Sequence, residues 1–328
     1  MILVTGGAGF IGSNLVAALE ARGLTDIVVC DRLGREDKWR NIAKRELADL
    51  IHPKSLLDWL AKNGDVVEII FHLGAVSATT ERNADLIVRR NIRLPIDLWD
   101  HCAKTGTRFI YASSGATYGD GSAGFSDDAT IDALARLLPL NAYGWSKHMF
   151  DRRVARLLTE GKETPPQWAG LKFFNVYGPN EYNKGDMRSV VNKLTPLIRA
   201  GEPARLFRSY HPDYEDGGQK RDFIWVDDCV DVMLWLYDNP SVDGLFNVGT
   251  GEARSWRDLA EAVFAALGKS PEIDFIDMPD GLREKYQNFT EAEMVKLRAA
   301  GYDRPFTSLE DGVRRYVQDY LTQPDPYR

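Results

Sequence analysis

Through the first half of the chain, short apolar runs alternate with stretches whose apolar residues recur at helical spacing. Ile2-Leu3-Val4 reads as a buried strand, and Leu15, Val16 and Leu19 then carry a helical stripe. Ile27-Val28-Val29-Cys30 is the next strand and ends at Asp31. Val66 to Leu73, Phe109 to Ala112 and Leu171 to Phe174 read as further strands, with helices predicted over Asn83 to Lys104 and Tyr143 to Leu158. Strands apolar on both faces and separated by amphipathic helices predict a doubly wound α/β fold: a parallel sheet covered on both sides by right-handed crossovers.

Beyond Gly178-Pro179 the alternation weakens. Asn180 to Asp186 reads as a loop, Met187 to Arg199 as a helix, and His211 to Gln219 as a polar loop broken by Pro212 and Gly217-Gly218. Phe223 to Trp225 and Leu245 to Val248 are expected to return to the sheet as strands. Ser255 is placed to cap a helix running to Leu267, and Thr290 to Ala300 and Leu309 to Leu321 are predicted helices. The expected division is a first lobe over residues 1–174, with returning segments at about 220–250, and a smaller, interleaved lobe made mainly of 175–328.

Charge narrows the function classes. The 328 residues carry 41 basic and 48 acidic side chains, a net charge of −7, which argues against a nucleic-acid or membrane-surface role. Cys30, Cys102 and Cys229 are an odd number and widely spaced, so neither a disulfide framework nor a Cys ligand pair is expected. No apolar run approaches the ~18 residues of a membrane span, and no basic leader precedes the first strand, so a cytoplasmic protein is the expectation. The five histidines, His52, His72, His101, His148 and His211, show no ligand spacing, and no metal is expected.

Gly6, Gly9 and Gly12 are spaced G-x-x-G-x-x-G between the first strand and the first helix. In a Rossmann-type unit such glycines allow a tight turn, backbone approach to a pyrophosphate, and close helix–strand packing. Asp31 ends the second strand about 20 residues beyond Gly12, where a carboxylate would meet the adenosine ribose. Arg32, Arg35 and Lys38 follow at once. They either hold a 2′-phosphate or form a solvated loop, and position alone does not choose between these.

Tyr143 and Lys147 are four residues apart, so on a helix they share a face. A nearby ammonium and the positive ring of a nicotinamide would lower the phenol below its usual ~10, making Tyr143 a general acid or base for a sugar hydroxyl. Ser113-Ser114 ends a strand, where open α/β sheets bind ligands, and Ser114 could bond the same oxygen.

With these pieces the sequence resembles the extended short-chain dehydrogenase/reductases, mostly nucleotide-sugar epimerases and dehydratases. The resemblance is carried by the glycine loop, Phe71-His72-Leu73-Gly74-Ala75, Tyr111 to Ser114, Tyr118-Gly119, Tyr143 with Lys147, Asn175 to Pro179, and Arg221 to Val226. Thr79-Thr80-Glu81, the run Glu181, Lys184-Gly185, Met187, Ser189-Val190, then Gln287 to Thr290 and Ala299 to Tyr302 narrow it to the ADP-glyceromanno-heptose 6-epimerase family of lipopolysaccharide core biosynthesis. That likeness implies inversion of C6 of the heptose in an ADP-sugar, bound NADP in preference to NAD, and a homo-oligomer, in that family a pentamer. It implies Tyr143 and Lys184 as the two acid/base residues, with Ser114 and Lys147 beside them. It implies cofactor contacts from Phe10, Ile11, Asp31, Arg32, Lys38, Lys54, Leu73, Gly74, Ala75, Val76, Ser77, Asn91, Lys147 and Val176. For the substrate it implies Asn175, Lys184, Phe207, Arg221 and Tyr286, with Asp186 and Lys193 at two further substrate positions. Leu73, Arg32, Asp186 and Lys193 stand where the family pattern has an acidic residue, Asn, a small hydroxyl residue and His.

Two other readings remain at this point. A UDP-hexose 4-epimerase would use the same parts, whereas a 4,6-dehydratase would carry an Asp-Glu pair where this chain has Gly115-Ala116-Thr117. A non-catalytic dinucleotide-sensing scaffold would be expected to lack Tyr143 or Lys147, and both are present. For Arg221 the alternatives are a substrate pyrophosphate or a structural pair with Asp222 or Asp228.

Overall fold

A strand apolar on both faces needs helices above and below it, and this requirement sets the central sheet. The computed structural model describes residues 1–283 and 286–328. In chain order the strands are β1 (Ile2–Thr5), β2 (Ile27–Cys30), β3 (Asp49–Ile51), β4 (Ile69–His72), β5 (Arg108–Ser114) and β6 (Trp168–Phe173). They continue with β7 (Asn175–Tyr177), β8 (Ala204–Phe207), β9 (Lys220–Trp225), β10 (Gly244–Val248), β11 (Ala253–Ser255) and β12 (Ile273–Ile276). Seven of them form one parallel sheet in the order β10-β6-β5-β4-β1-β2-β3. From β1 the chain builds outward to β3, then returns to the other side of β1 at β4. The carboxyl ends of β1 and β4 therefore flank a crevice at a topological switch point.

One face of this sheet packs Val4, Val29 and Phe71 against Leu15, Val16 and Leu19 of the helix Phe10–Ala21 and against Met233 and Leu234. The other packs Phe109 and Tyr111 with Trp99, Phe150 and Trp168. Between β5, β6 and the helix Ala142–Thr159 lies a wholly buried ion pair, Lys172 Nζ to Asp151 at 2.9 Å. Asp151 also accepts from Ser113 (2.7 Å) and Tyr111 (3.2 Å), and Lys172 donates to Thr117 Oγ1 (2.7 Å).

Leu245 to Val248 joins the large sheet at its edge, beside β6, but Phe223 to Trp225 does not. β9 instead pairs parallel with β7 and antiparallel with β11 in a separate three-stranded sheet. An apolar run reports burial but not which sheet buries it, and Phe223 and Trp225 pack with Tyr177, Leu259 and Tyr316 in a second core. Asn83 to Lys104 is helical in three parts, Ala84–Ile87, a π-helical turn at Val88–Arg93, and Leu94–Thr105. Thr290 to Ala300 is helical only over Val295–Ala299, because its start is held extended: Thr290 N–H bonds Lys220 O and Ala292 N–H bonds Asp222. The loop expected at Asn180 to Asp186 winds into a 3-10 turn, Tyr182–Met187, and the following helix starts at Val190 with Ser189 as its cap.

Candidate active site

The glycine loop packs against the end of β4. Gly6 has φ +69°, and a Cβ there would lie 2.6 Å from Gly74 N, while one on Gly12 would lie 2.2 Å from Gly6 O. The backbones thus approach as only glycine permits. Thr5 Oγ1, 2.7 Å from His72 Nδ1, accepts from Gly74 N–H at 3.2 Å and locks the two strand ends together. Burial first, and the Lys147 charge second, push His72 down to about 3, so it stays neutral. The helix Phe10–Ala21 has no side-chain cap and no acid in its first turn. Its leading amides are left to an anion such as a pyrophosphate.

Asp31, at the end of β2, accepts from Ala8 N–H at 3.0 Å and from Lys38 Nζ at 2.6 Å. Beside it a cavity of about 500 Å³ is lined by Arg32, Arg35, Lys38, His52 and Arg90. Lys54 is exposed and outside this lining, so the structure does not bring it to the site. Arg90 enters instead, from the π-helical turn. No ion pair or hydrogen bond holds the guanidinium groups of Arg32, Arg35 or Arg90 among the described residues.

A second cavity of about 490 Å³ shares Gly6, Asp31, Lys38, Gly74, Ala75 and Val76 with the first. Leu73 and Ser77 line it with Gly9, Phe10, Ile11, Gly12 and Val176, and so do Ser114, Tyr143, Lys147 and Lys184. The four candidate catalytic groups therefore face one cleft, although they come from β5, the helix Ala142–Thr159 and the loop after β7. Burial raises the Tyr143 phenol, and the neighbouring Ser114 hydroxyl pulls it back. Lys147 donates to Ala112 O at 2.7 Å at the strand end. Burial lowers Lys147 to about 8 against the pull of Asp151. Lys184 is lowered by burial, opposed by Glu181, and its ammonium stands 5.2 Å over the Phe10 ring.

Asn91 does not face the cleft through its amide. Its Oδ1 accepts from Val76 N–H and its Nδ2 donates to Val76 O, both at 2.9 Å, and to Ser146 Oγ at 3.0 Å. It fixes the Leu73 to Ser77 wall rather than reaching a ligand. Asn41, Asn180, Asn183 and Met187 also line the cleft, and the three asparagines belong to no motif read from the sequence.

Arg221 is 7% exposed, with its guanidinium 5.2 Å over the Tyr286 ring and 5.7 Å over the Trp256 ring. Phe207 meets Tyr286 edge-on at 6.4 Å. Arg221 donates to Lys220 O, and no carboxylate pairs with it among the described residues. The structural pairs considered from sequence are otherwise engaged. Asp222 accepts from Thr250, Gly251 and Ala292, and Asp228 from Thr307. A buried guanidinium without an acid implies an anionic ligand. Asp186 and Lys193 are exposed and joined to each other, Lys193 Nζ to Asp186 O, and line neither cavity. Asn175, half-buried on β7, also lies outside both linings.

A doubly wound sheet with a glycine cradle, a carboxylate at the end of β2 and a Ser-Tyr-Lys cleft is the arrangement of a nicotinamide-dinucleotide-dependent sugar-nucleotide enzyme. Residues 2–249 match the NAD dependent epimerase/dehydratase family, and the chain belongs to it. It is 54% identical, over the full length of both chains, to ADP-L-glycero-D-manno-heptose-6-epimerase from Nitratidesulfovibrio vulgaris. Among solved structures it resembles the Helicobacter pylori enzyme of that name, with TM-score 0.78, 26% identity, and coverage of 97% of this chain and 95% of that one. It also resembles UDP-glucose 4-epimerase from Thermus thermophilus in complex with NAD, with TM-score 0.74, 27% identity, and coverage of 96% and 97%. No helix among the described residues is long and apolar enough to cross a membrane.

Proposed function

We infer that this chain inverts C6 of the heptose in ADP-L-glycero-D-manno-heptose. The reaction type rests on one observation: Tyr143 and Lys184, two proton carriers from different elements, share a cleft with Ser114, Lys147 and the glycine cradle. The sugar rests on the full-length likeness to the heptose epimerase.

A stereocentre bearing an unactivated C–H cannot be inverted by deprotonation alone. When bound, a nicotinamide dinucleotide supplies reversible hydride acceptance. The protein must then take the C6 hydroxyl proton as that carbon becomes a ketone, let the ketone turn over, and return a proton to its oxygen from the other side. Tyr143, which shares the cleft with Ser114, and Lys184 are the two carriers. The lowered pKa of Lys184 increases its neutral, proton-accepting fraction near neutral pH. Lys147 orients the dinucleotide ribose, and Arg221 holds the substrate pyrophosphate between Trp256 and Tyr286. In this reading residues 1–174, completed by β10, hold the dinucleotide, and 175–328 mainly hold the sugar nucleotide.

The dinucleotide is NADP in this reading. Support comes from the three unpaired guanidinium groups of Arg32, Arg35 and Arg90 around one cavity and from Lys38 on Asp31. Denaturing the purified protein should release NADP, and recovery of NAD alone would contradict it. Arg32→Ala or Arg90→Ala should each weaken NADP binding roughly 10–100-fold, the worth of a charged hydrogen bond, with little effect on NAD. A homo-oligomer, a pentamer as in the heptose-epimerase family, is the proposed assembly, and light scattering that reports a monomer would reject it.

A further inference from the structure

Asn180 is the one described residue other than glycine with a left-handed backbone, at φ +70°. It is buried, lines the catalytic cleft, and stands between β7 and the turn that carries Lys184. Such a conformation persists where the surroundings over-determine it. Here they do. Asn180 Nδ2 donates to Ser13 Oγ at 2.9 Å, its carbonyl accepts from Asn41 Nδ2 at 3.0 Å, and its Oδ1 accepts from Arg328 N–H at 3.1 Å.

That last bond belongs to a larger seam. Tyr182 Oη donates to Pro326 O at 2.6 Å, and its ring meets Tyr327 edge-on at 5.0 Å. Lys44 Nζ donates to Tyr327 O at 2.6 Å and pairs with Asp325 at 3.0 Å, and Arg40 lies 4.3 Å over the Tyr327 ring. The Arg328 guanidinium pairs with Asp227 and donates to Asn14 Oδ1 at 3.0 Å. Residues 325–328 thus tie the Lys184 turn to the glycine-loop helix, through Asn14, and to the segment after β2, through Arg40 and Lys44.

The Lys184 ammonium itself has no hydrogen-bond partner among the described residues, only the Phe10 ring beneath it. Its position is therefore inherited from the turn. That turn runs between Asn180 and Gly185, which has φ +53°, so both of its ends are left-handed.

We propose that residues 325–328, acting through Asn180 and Tyr182, are positioning residues that set where Lys184 meets the cofactor cleft. This rests on the reading of Lys184 as a proton carrier. A reacting group displaced by about 1 Å can lose about 10²-fold in rate without loss of binding.

The test compares the intact chain with a chain ending at Pro324 and with Tyr182→Phe, which keeps the ring contact but loses the hydroxyl bond. Three quantities are read: kcat and KM for epimerisation of the ADP-heptose, the dinucleotide retained per chain, and the rate of reductive methylation at Lys184 against Lys147. Truncation should lower kcat about 10²-fold with KM and retained dinucleotide unchanged. Lys184 should be methylated faster, and Lys147 at its former rate. Tyr182→Phe should shift the same quantities in the same direction with a loss of roughly 3–10-fold, as expected for one net hydrogen bond. Parallel loss of kcat and dinucleotide, or unchanged Lys184 labelling in both variants, would overturn the proposal. The labelling reads the lysine without substrate, so an intact chain inert toward the heptose would refute the proposed reaction separately.

Discussion

Tyr143→Phe is expected to reduce epimerisation by about 10²–10⁴-fold, the usual cost of losing a positioned acid/base, while the dinucleotide stays bound. The phenol lines the cleft with Ser114, whose hydroxyl draws its pKa down against burial, and the ring that remains keeps its packing. Lys184→Met should have an effect of the same order, because in the proposed mechanism each residue serves a different side of the turned-over ketone. An analogue with an aldehyde at C6 separates the two, since it can be oxidised and reduced without turning over, and that dismutation needs only one carrier. One variant should therefore retain dismutation while the other loses it. Stopped assays that show near-wild-type epimerisation in Lys184→Met would demote it to a loop lysine.

The second large effect is on stability. Lys172→Met should destabilise the fold by ~3–5 kcal/mol, because Asp151 is left charged in a fully buried site. Ser113 and Tyr111 still donate to that carboxylate, but among the described residues no other cation lies within bonding distance of it. Urea unfolding followed by circular dichroism measures this, and a loss below ~1 kcal/mol would mean that water or the two hydroxyls compensate the charge. The effect reaches the site as well. Lys172 holds Thr117, whose hydroxyl donates to Ser114 O at 2.8 Å, so this pair braces the strand end that presents Ser114.

The parts of the site legible in the sequence are those encoded by short spacings. The glycine loop follows a strand and opens a helix, and Tyr143 and Lys147 lie on one helical face, so both could be placed without tertiary information. Residues whose roles depend on distant partners were not legible in this way. Asn91 came only through family likeness, and its work on the Val76 backbone depends on the π-helical turn that aims it. Arg90 sits one residue away on the same turn, and nothing in its neighbourhood distinguishes it from Arg89 in a linear reading. The acceptor for Lys147, Ala112 O, lies on another element and leaves no signal in the Tyr143–Lys147 spacing. The sheet to which β9 belongs was misassigned for a similar reason, since burial of Phe223 to Trp225 is local information and pairing with Asn175–Tyr177 is not.

The central claim is tested most directly by incubating the protein with ADP-L-glycero-D-manno-heptose and following the sugar by NMR. The account predicts a second set of signals from the C6 epimer, growing to equilibrium with every ring stereocentre unchanged. Absence of that epimer, together with C4 inversion of a UDP-hexose by the same preparation, would contradict it.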